Sequence, residues 1–119
     1  MSCLMFDDEA VAGLTQAWGT KNTITPSSYT SWSAYGGCYY RKCDTTVELN
    51  IALSGASGAD SVSITTLPAG YRPLHSVGIV ANSVGTGVAA GGLYVDTYGV
   101  VRVTSPNGYF IGHMYFETV

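Results

Sequence analysis

From Tyr39 onward the chain alternates apolar and polar residues in short runs. Val47, Leu49, Ile51 and Leu53 alternate with Thr46, Glu48, Asn50 and Ala52. A period of two puts the first set on one face of an extended strand and the second on the other. Ser54-Gly55-Ala56-Ser57-Gly58 follows, a cluster of turn residues that predicts the end of this strand. Val62 and Ile64, alternating with Ser61, Ser63 and Thr65, predict a second strand. Pro68, Gly70 and Pro73 then impose a loop. Val77, Ile79 and Ala81 predict a third strand, ending at Asn82-Ser83. Residues 93–95 and 100–103 flank Asp96-Thr97-Tyr98-Gly99, a hairpin turn. In such a turn the Asp side chain accepts from backbone N–H groups and the glycine takes a positive φ. Pro106-Asn107-Gly108 marks a further turn, and a last strand runs from Tyr109 to about Thr118.

That last strand is apolar on both faces. Tyr109, Ile111 and Tyr115 point one way; Phe110, Met114 and Phe116 point the other. Such a strand is either central and covered on both sides or buried against a neighbouring chain. Upstream, residues 15–37 read as loops with one or two short strands, carrying Trp18, Tyr29, Trp32 and Tyr35. Residues 1–14 form an N-terminal leader or arm. Asp7, Asp8 and Glu9 before Ala10, Val11, Ala12 and Leu14 suit a helix N-terminus, while Gly13 leaves an extended leader equally open. The organisation expected is a leader at 1–14 and one all-β domain at 15–119. Seven or so short antiparallel strands with frequent Gly and Pro turns fit a β-sandwich or jelly roll.

Composition adds a hint of assembly. Of 119 residues, 46% are hydrophobic and only 11% charged, against about 25% charged in an ordinary soluble domain. A surface so poor in charge is weakly protected against association. Lys21, Arg41, Lys42, Arg72 and Arg102 form no basic run, so nucleic acid is not an expected partner. The longest apolar stretch, 77–95, is interrupted by Gly, Asn and Ser, so membrane insertion is not expected either. The N-terminus lacks a basic region followed by an apolar core, so no secretory signal is expected.

Candidate chemistry is sparse. The odd cysteine count, Cys3, Cys38 and Cys43, argues against a closed disulfide framework. Cys38 and Cys43 fall on opposite faces of an extended segment. The expectation is free thiols from a reducing cytoplasm, with too few ligands for a metal. His75 and His113 have no nearby carboxylate in sequence and read as structural or exposed. The Gly-rich stretch 85–92 lacks a P-loop ending and reads as a loop or bulged strand. A glycosidase would need two facing carboxylates, and Asp60, Asp96 and Glu117 each have a simpler role at turns or a strand end. No enzymatic activity and no cofactor are expected. Tyrosine is enriched, with nine copies, and its flat ring and polar tip suit sugar stacking as well as subunit contacts. Tyr39, Tyr40, Tyr71, Tyr94, Tyr98 and Tyr109 are loop or strand-end candidates for an exposed patch, although most of them are expected to cap the core or line subunit contacts. Tyr39, Tyr94, Tyr98 and Tyr109 are the ligand-binding candidates.

Tyr40-Arg41-Lys42, the alternating strand to Leu53, and Thr66-Leu67-Pro68-Ala69-Gly70-Tyr71-Arg72-Pro73 together resemble the C-terminal head domains of bacteriophage tail fibres and receptor-binding proteins. The resemblance covers about Trp32 to Val119, and the LPAGYRP loop is its most specific part. The hairpin Val95-Asp96-Thr97-Tyr98-Gly99-Val100 is one residue longer than the commonest version in that family. The resemblance implies a homotrimer at a virion tail tip or baseplate, made in the bacterial host cytoplasm. It implies a host cell-surface saccharide as receptor and other virion tail proteins as partners. Within the loop, Pro68, Gly70, Tyr71, Arg72 and Pro73 read as architectural. The alternatives are a purely structural decoration or baseplate component and, behind it, a glycan hydrolase.

Overall fold

A computed structural model describes residues 18–56, 61–84, 89–104 and 108–118. The described residues are all-β, with nine antiparallel strands. They are β1 (Asn22–Thr23), β2 (Thr30–Ser31), β3 (Tyr39–Cys43), β4 (Thr46–Ala56), β5 (Val62–Thr66), β6 (Val77–Val84), β7 (Ala89–Val95), β8 (Val100–Thr104) and β9 (Gly108–Glu117). One 3₁₀ turn, Ser33–Tyr35, lies between β2 and β3. No helix of the described residues is long and apolar enough to cross a membrane.

The hydrogen-bonded order is β1-β3-β4-β9-β6-β7-β8-β5, with β2 beside the far end of β4. β9 and β6 share only three residue pairs, Asn82↔Ile111, Ser83↔Phe110 and Val84↔Tyr109. That short seam divides the network into two antiparallel sheets. The last strand is therefore central, but it is not covered on both sides: Phe110, Met114 and Phe116 are buried, while Tyr109 and Tyr115 on the other face are exposed.

Alternation decides which side faces the core. Val47, Leu49, Ile51 and Leu53 are fully buried and lie opposite Phe116, Met114, Gly112 and Phe110. From the other sheet come Ile64, Leu93, Val95, Val101 and Val103, part of the same apolar cluster. The two meet where Gly112 lacks a side chain, since a Cβ there would lie 2.8 Å from Leu93 Cδ2. Burying such side chains stabilises by roughly 1.5–3 kcal/mol each, so the cluster drives the fold. The segment between β1 and β2 crosses to the edge of β5, where Ser27 donates from its backbone and hydroxyl to the Ile64 carbonyl.

Two strand ends differ from expectation. Ser54, Gly55 and Ala56 belong to β4 instead of ending it, because a bulge after Leu53, with Gly55 at φ 75°, lets pairing resume at Ala56↔Gly108. Likewise Asn82 and Ser83 continue β6, because both pair with β7 and β9 on either side. Of the Gly-rich stretch, residues 89–92 open β7, and residues 85–88 lie outside the described residues. The leader at 1–14 and Asp60 lie outside them as well.

The expectation of free thiols is corrected at Cys43, which is disulfide-bonded. Sequence spacing could exclude pairing with Cys38 but could not exclude a partner distant in sequence. Cys38 itself is free and buried, and its thiol donates to the Ala52 carbonyl.

The LPAGYRP loop ties three elements together. Pro68 accepts from the Tyr71 N–H, Gly70 sits at φ 92°, and Arg72 Nε donates to Leu67 O at 2.9 Å. The loop docks on β3 through Lys42, which donates to Gly70 O and lies over the Tyr71 ring. Tyr71 meets Tyr40 edge-on at 4.8 Å, and Pro73 bridges Thr118.

Candidate functional site

Three surface features carry chemistry. The first is a groove of about 600 Å³ on the outer face of β6, β7 and β8. Its floor is set by register. Gly78 lies opposite Tyr94, and Gly92 is two residues before Tyr94 on the same face. With no side chains at 78 and 92, the Tyr94 ring lies flat across both strands. A Cβ on Gly78 would come within 2.4 Å of the ring, and one on Gly92 within 2.5 Å. Tyr94 is nevertheless 47% exposed. Val80, Ser76, Asp96 and Arg102 line the groove around it, and Arg102 is the register neighbour of Tyr94 on β8. Asp96 Oδ1 accepts from the N–H groups of Tyr98 and Val100, which fixes the hairpin turn and leaves Oδ2 to accept.

The second feature is the outer face of β3, β4 and β9. The two-residue turn Asp44-Thr45 sets Arg41 opposite Glu48, and Glu48 in turn lies opposite Tyr115. Glu48 is buried, yet every oxygen is engaged. Oε1 accepts from Arg41; Oε2 accepts from His113 Nε2 at 2.8 Å and from the Tyr115 hydroxyl at 3.3 Å. Burial alone would raise the Glu48 carboxyl, but the His113 and Arg41 hydrogen bonds and the guanidinium charge outweigh it, so it lies below the ordinary value. Burial, and then the Glu48 charge, push the Tyr39 and Tyr115 phenols up, so both remain O–H donors at neutral pH. Trp18 packs on Tyr115 at 5.8 Å and under the Arg41 guanidinium.

Further along the same face, Asn50 Nδ2 donates to the carbonyls of Tyr35 and Gly37 and pins the 3₁₀ turn against β4. That anchoring gathers the third feature, an aromatic ridge. Trp32 stacks on Tyr109 with centroids 4.1 Å apart and touches Tyr35 at the same distance. Tyr35 and Tyr109 remain 53% and 40% exposed. Beside the ridge runs a smaller groove of about 310 Å³, lined by Lys21, Thr23, Ser31, Ser33 and Tyr39.

The four candidate tyrosines are thus not one patch. Tyr94 floors the large groove, and Tyr98 projects from the neighbouring turn, 75% exposed. Tyr109 belongs to the ridge; Tyr39 lies under Lys21 in the small groove. Sequence reasoning missed Trp32 and Tyr35 as ridge partners and Glu48 as a hub. The Arg41–Glu48 pairing was within reach, since a tight turn at Asp44-Thr45 places those two opposite each other. His113 has no carboxylate close to it in sequence, and the β4–β9 register brings it to Glu48 in a structural role. His75 is exposed. Glu117 accepts from the hydroxyls of Thr45 and Thr46, and Asp96 serves the turn. Among the described residues no group of three or more His, Cys, Asp and Glu is placed to hold a metal.

No family model, curated protein or solved structure matches the chain.

Proposed function

We propose that the chain is a non-catalytic head domain that binds a host cell-surface saccharide, with the β6–β7–β8 groove as its binding site. The observation that carries this reading is the Tyr94 ring, laid against two glycines and about half exposed in a groove that Arg102 and Asp96 also line. A sugar offers an apolar C–H face and a rim of hydroxyls. A flat ring meets the face; a guanidinium that donates and a carboxylate that accepts meet the rim. The groove volume is in the range of small-ligand sites.

In this reading the two sheets form a β-sandwich of the tail-fibre-head type, assembled as a homotrimer on a virion tail tip or baseplate. Low charge and the exposed side chains of Leu74 and Tyr98 support assembly. The architectural role of the LPAGYRP loop is supported by its bonds to β3 and to its own backbone.

The test is calorimetric titration with oligosaccharides released from bacterial surfaces, together with light scattering of the free protein. Saturable binding is expected, with Tyr94→Ala weakening it about tenfold or more, a loss of some 1.4 kcal/mol. A trimer mass is expected. Binding that survives Tyr94→Ala unchanged, or no binding to any surface glycan, overturns the reading and leaves a purely structural virion component.

A further inference from the structure

The chain has five Lys and Arg residues, and the structure sorts them by commitment. Arg41 is paired with Glu48. Lys42 donates to the Gly70 carbonyl and Arg72 to the Leu67 carbonyl. Arg102 and Lys21 have no ion-pair partner among the described residues, and each lines one of the two grooves. The grooves differ in their countercharge. Beside Arg102 stands the Asp96 carboxylate, whereas no carboxylate lines the groove of Lys21.

We infer that the small groove between β1 and the 33–37 segment is an oxyanion site, which takes a phosphate or carboxylate group through Lys21. Lys21 Nζ sits 4.5 Å from the Tyr39 ring centroid. This cation–π contact holds the ammonium at the groove while leaving its three N–H donors unspent. Hydroxyls surround it. Ser31 Oγ accepts from the Cys38 N–H at 2.9 Å and lines the groove; Thr23 and Ser33 add two O–H donors. The Glu48 carboxylate, which acts on the Tyr39 phenol from outside the lining, is already met by Arg41, His113 and Tyr115. The groove therefore presents donors and one uncompensated positive charge. The shape is built for it: Gly37, at φ 71°, brings its backbone so close that a Cβ would lie 2.9 Å from Ser31 Oγ. Lysine serves oxyanions as a point charge, which tolerates either phosphate or carboxylate geometry.

This site is separate from the Tyr94 groove and stands whether or not that groove binds sugar. The test is amide chemical-shift mapping of the full chain with inorganic phosphate and, in a second arm, glucuronate. Shifts are expected at residues 21, 23, 31, 33, 36 and 37, with millimolar affinity, corresponding to about 4 kcal/mol. Lys21→Gln should weaken binding about tenfold and Lys21→Arg should retain it, with amides elsewhere unmoved. Response to phosphate alone assigns a phosphorylated ligand; response to glucuronate alone assigns an acidic sugar. If neither probe moves these amides, or if the shifts persist in Lys21→Gln, the inference is overturned.

Discussion

Arg41 and Glu48 face each other across the β3–β4 hairpin, on the side turned away from the core, and form an ion pair there. Glu48 has apolar Val47 and Leu49 as its chain neighbours and is itself buried. A carboxylate in such a place persists only when its oxygens are met by donors. Arg41, His113 and Tyr115 meet them, and Trp18 covers Tyr115 and Arg41.

The consequence is an acid-sensitive fold. The Glu48 carboxyl lies below its ordinary value when folded, so it binds a proton less readily than in the unfolded chain. Its contribution is present above the unfolded carboxyl range, about pH 4.3, and is lost as pH falls through the folded value. Urea midpoints measured from pH 7 down to pH 3 should drop on the acid side. Glu48→Gln should flatten that limb and cost about 1.5–3 kcal/mol at pH 7 through weakened charged hydrogen bonds. An unchanged acid limb in the variant would show that Glu48 does not set it.

Gly78 and Tyr94 should behave as a coupled pair. Gly78→Ala drives a Cβ into the ring, at an expected cost of about 1–3 kcal/mol for overpacking. In a Tyr94→Ala background the same change meets no ring, and the higher strand propensity of Ala over Gly should make it neutral or slightly stabilising. A double-mutant cycle by denaturant melts measures the difference. Additive effects would mean that the ring does not rest on Gly78.

Arg72 separates architecture from recognition. Its bond to the Leu67 carbonyl predicts that Arg72→Ala lowers stability by about 1 kcal/mol while saccharide affinity stays at the wild-type value. Loss of affinity with stability intact would place Arg72 at the receptor instead.

Cys38 should be chemically quiet. Burial pushes its thiol up, against smaller lowering effects from the Ala52 and Ser31 hydrogen bonds, and the reactive species is the thiolate. The native protein should resist alkylation at neutral pH and react promptly once unfolded in urea. Rapid labelling of the native state would contradict the buried placement.

The alternation of Val47, Leu49, Ile51 and Leu53, the Asp96–Gly99 turn and the rigid LPAGYRP loop were legible in the sequence because each is set by neighbours within a few residues. Ser54-Gly55-Ala56 misled, since a bulge carries β4 through residues that usually stop a strand. The Glu48 cluster and the Trp32–Tyr109 stack were out of reach for another reason. Each joins residues from the first half of the chain to β9, and a register between strands so far apart has no local signature. Tyr94 was singled out for its residue type alone; what makes it a platform is the pair of glycines placed beneath it by the β6–β7 register. The Cys43 disulfide was hidden in the same way, because no spacing rule applies to a distant partner.

β9 lies between β4 and β6 and is the link between the two sheets. During synthesis, β4 leaves the ribosome well before residues 108–117 exist. The nascent chain then carries an eleven-residue strand, rich in Val, Leu and Ile, with the edge meant for β9 unpaired. Such an edge invites association with other chains. The seam between the two sheets therefore closes only when β9 arrives, and the yield in a cell should depend on how well that waiting edge is shielded until then.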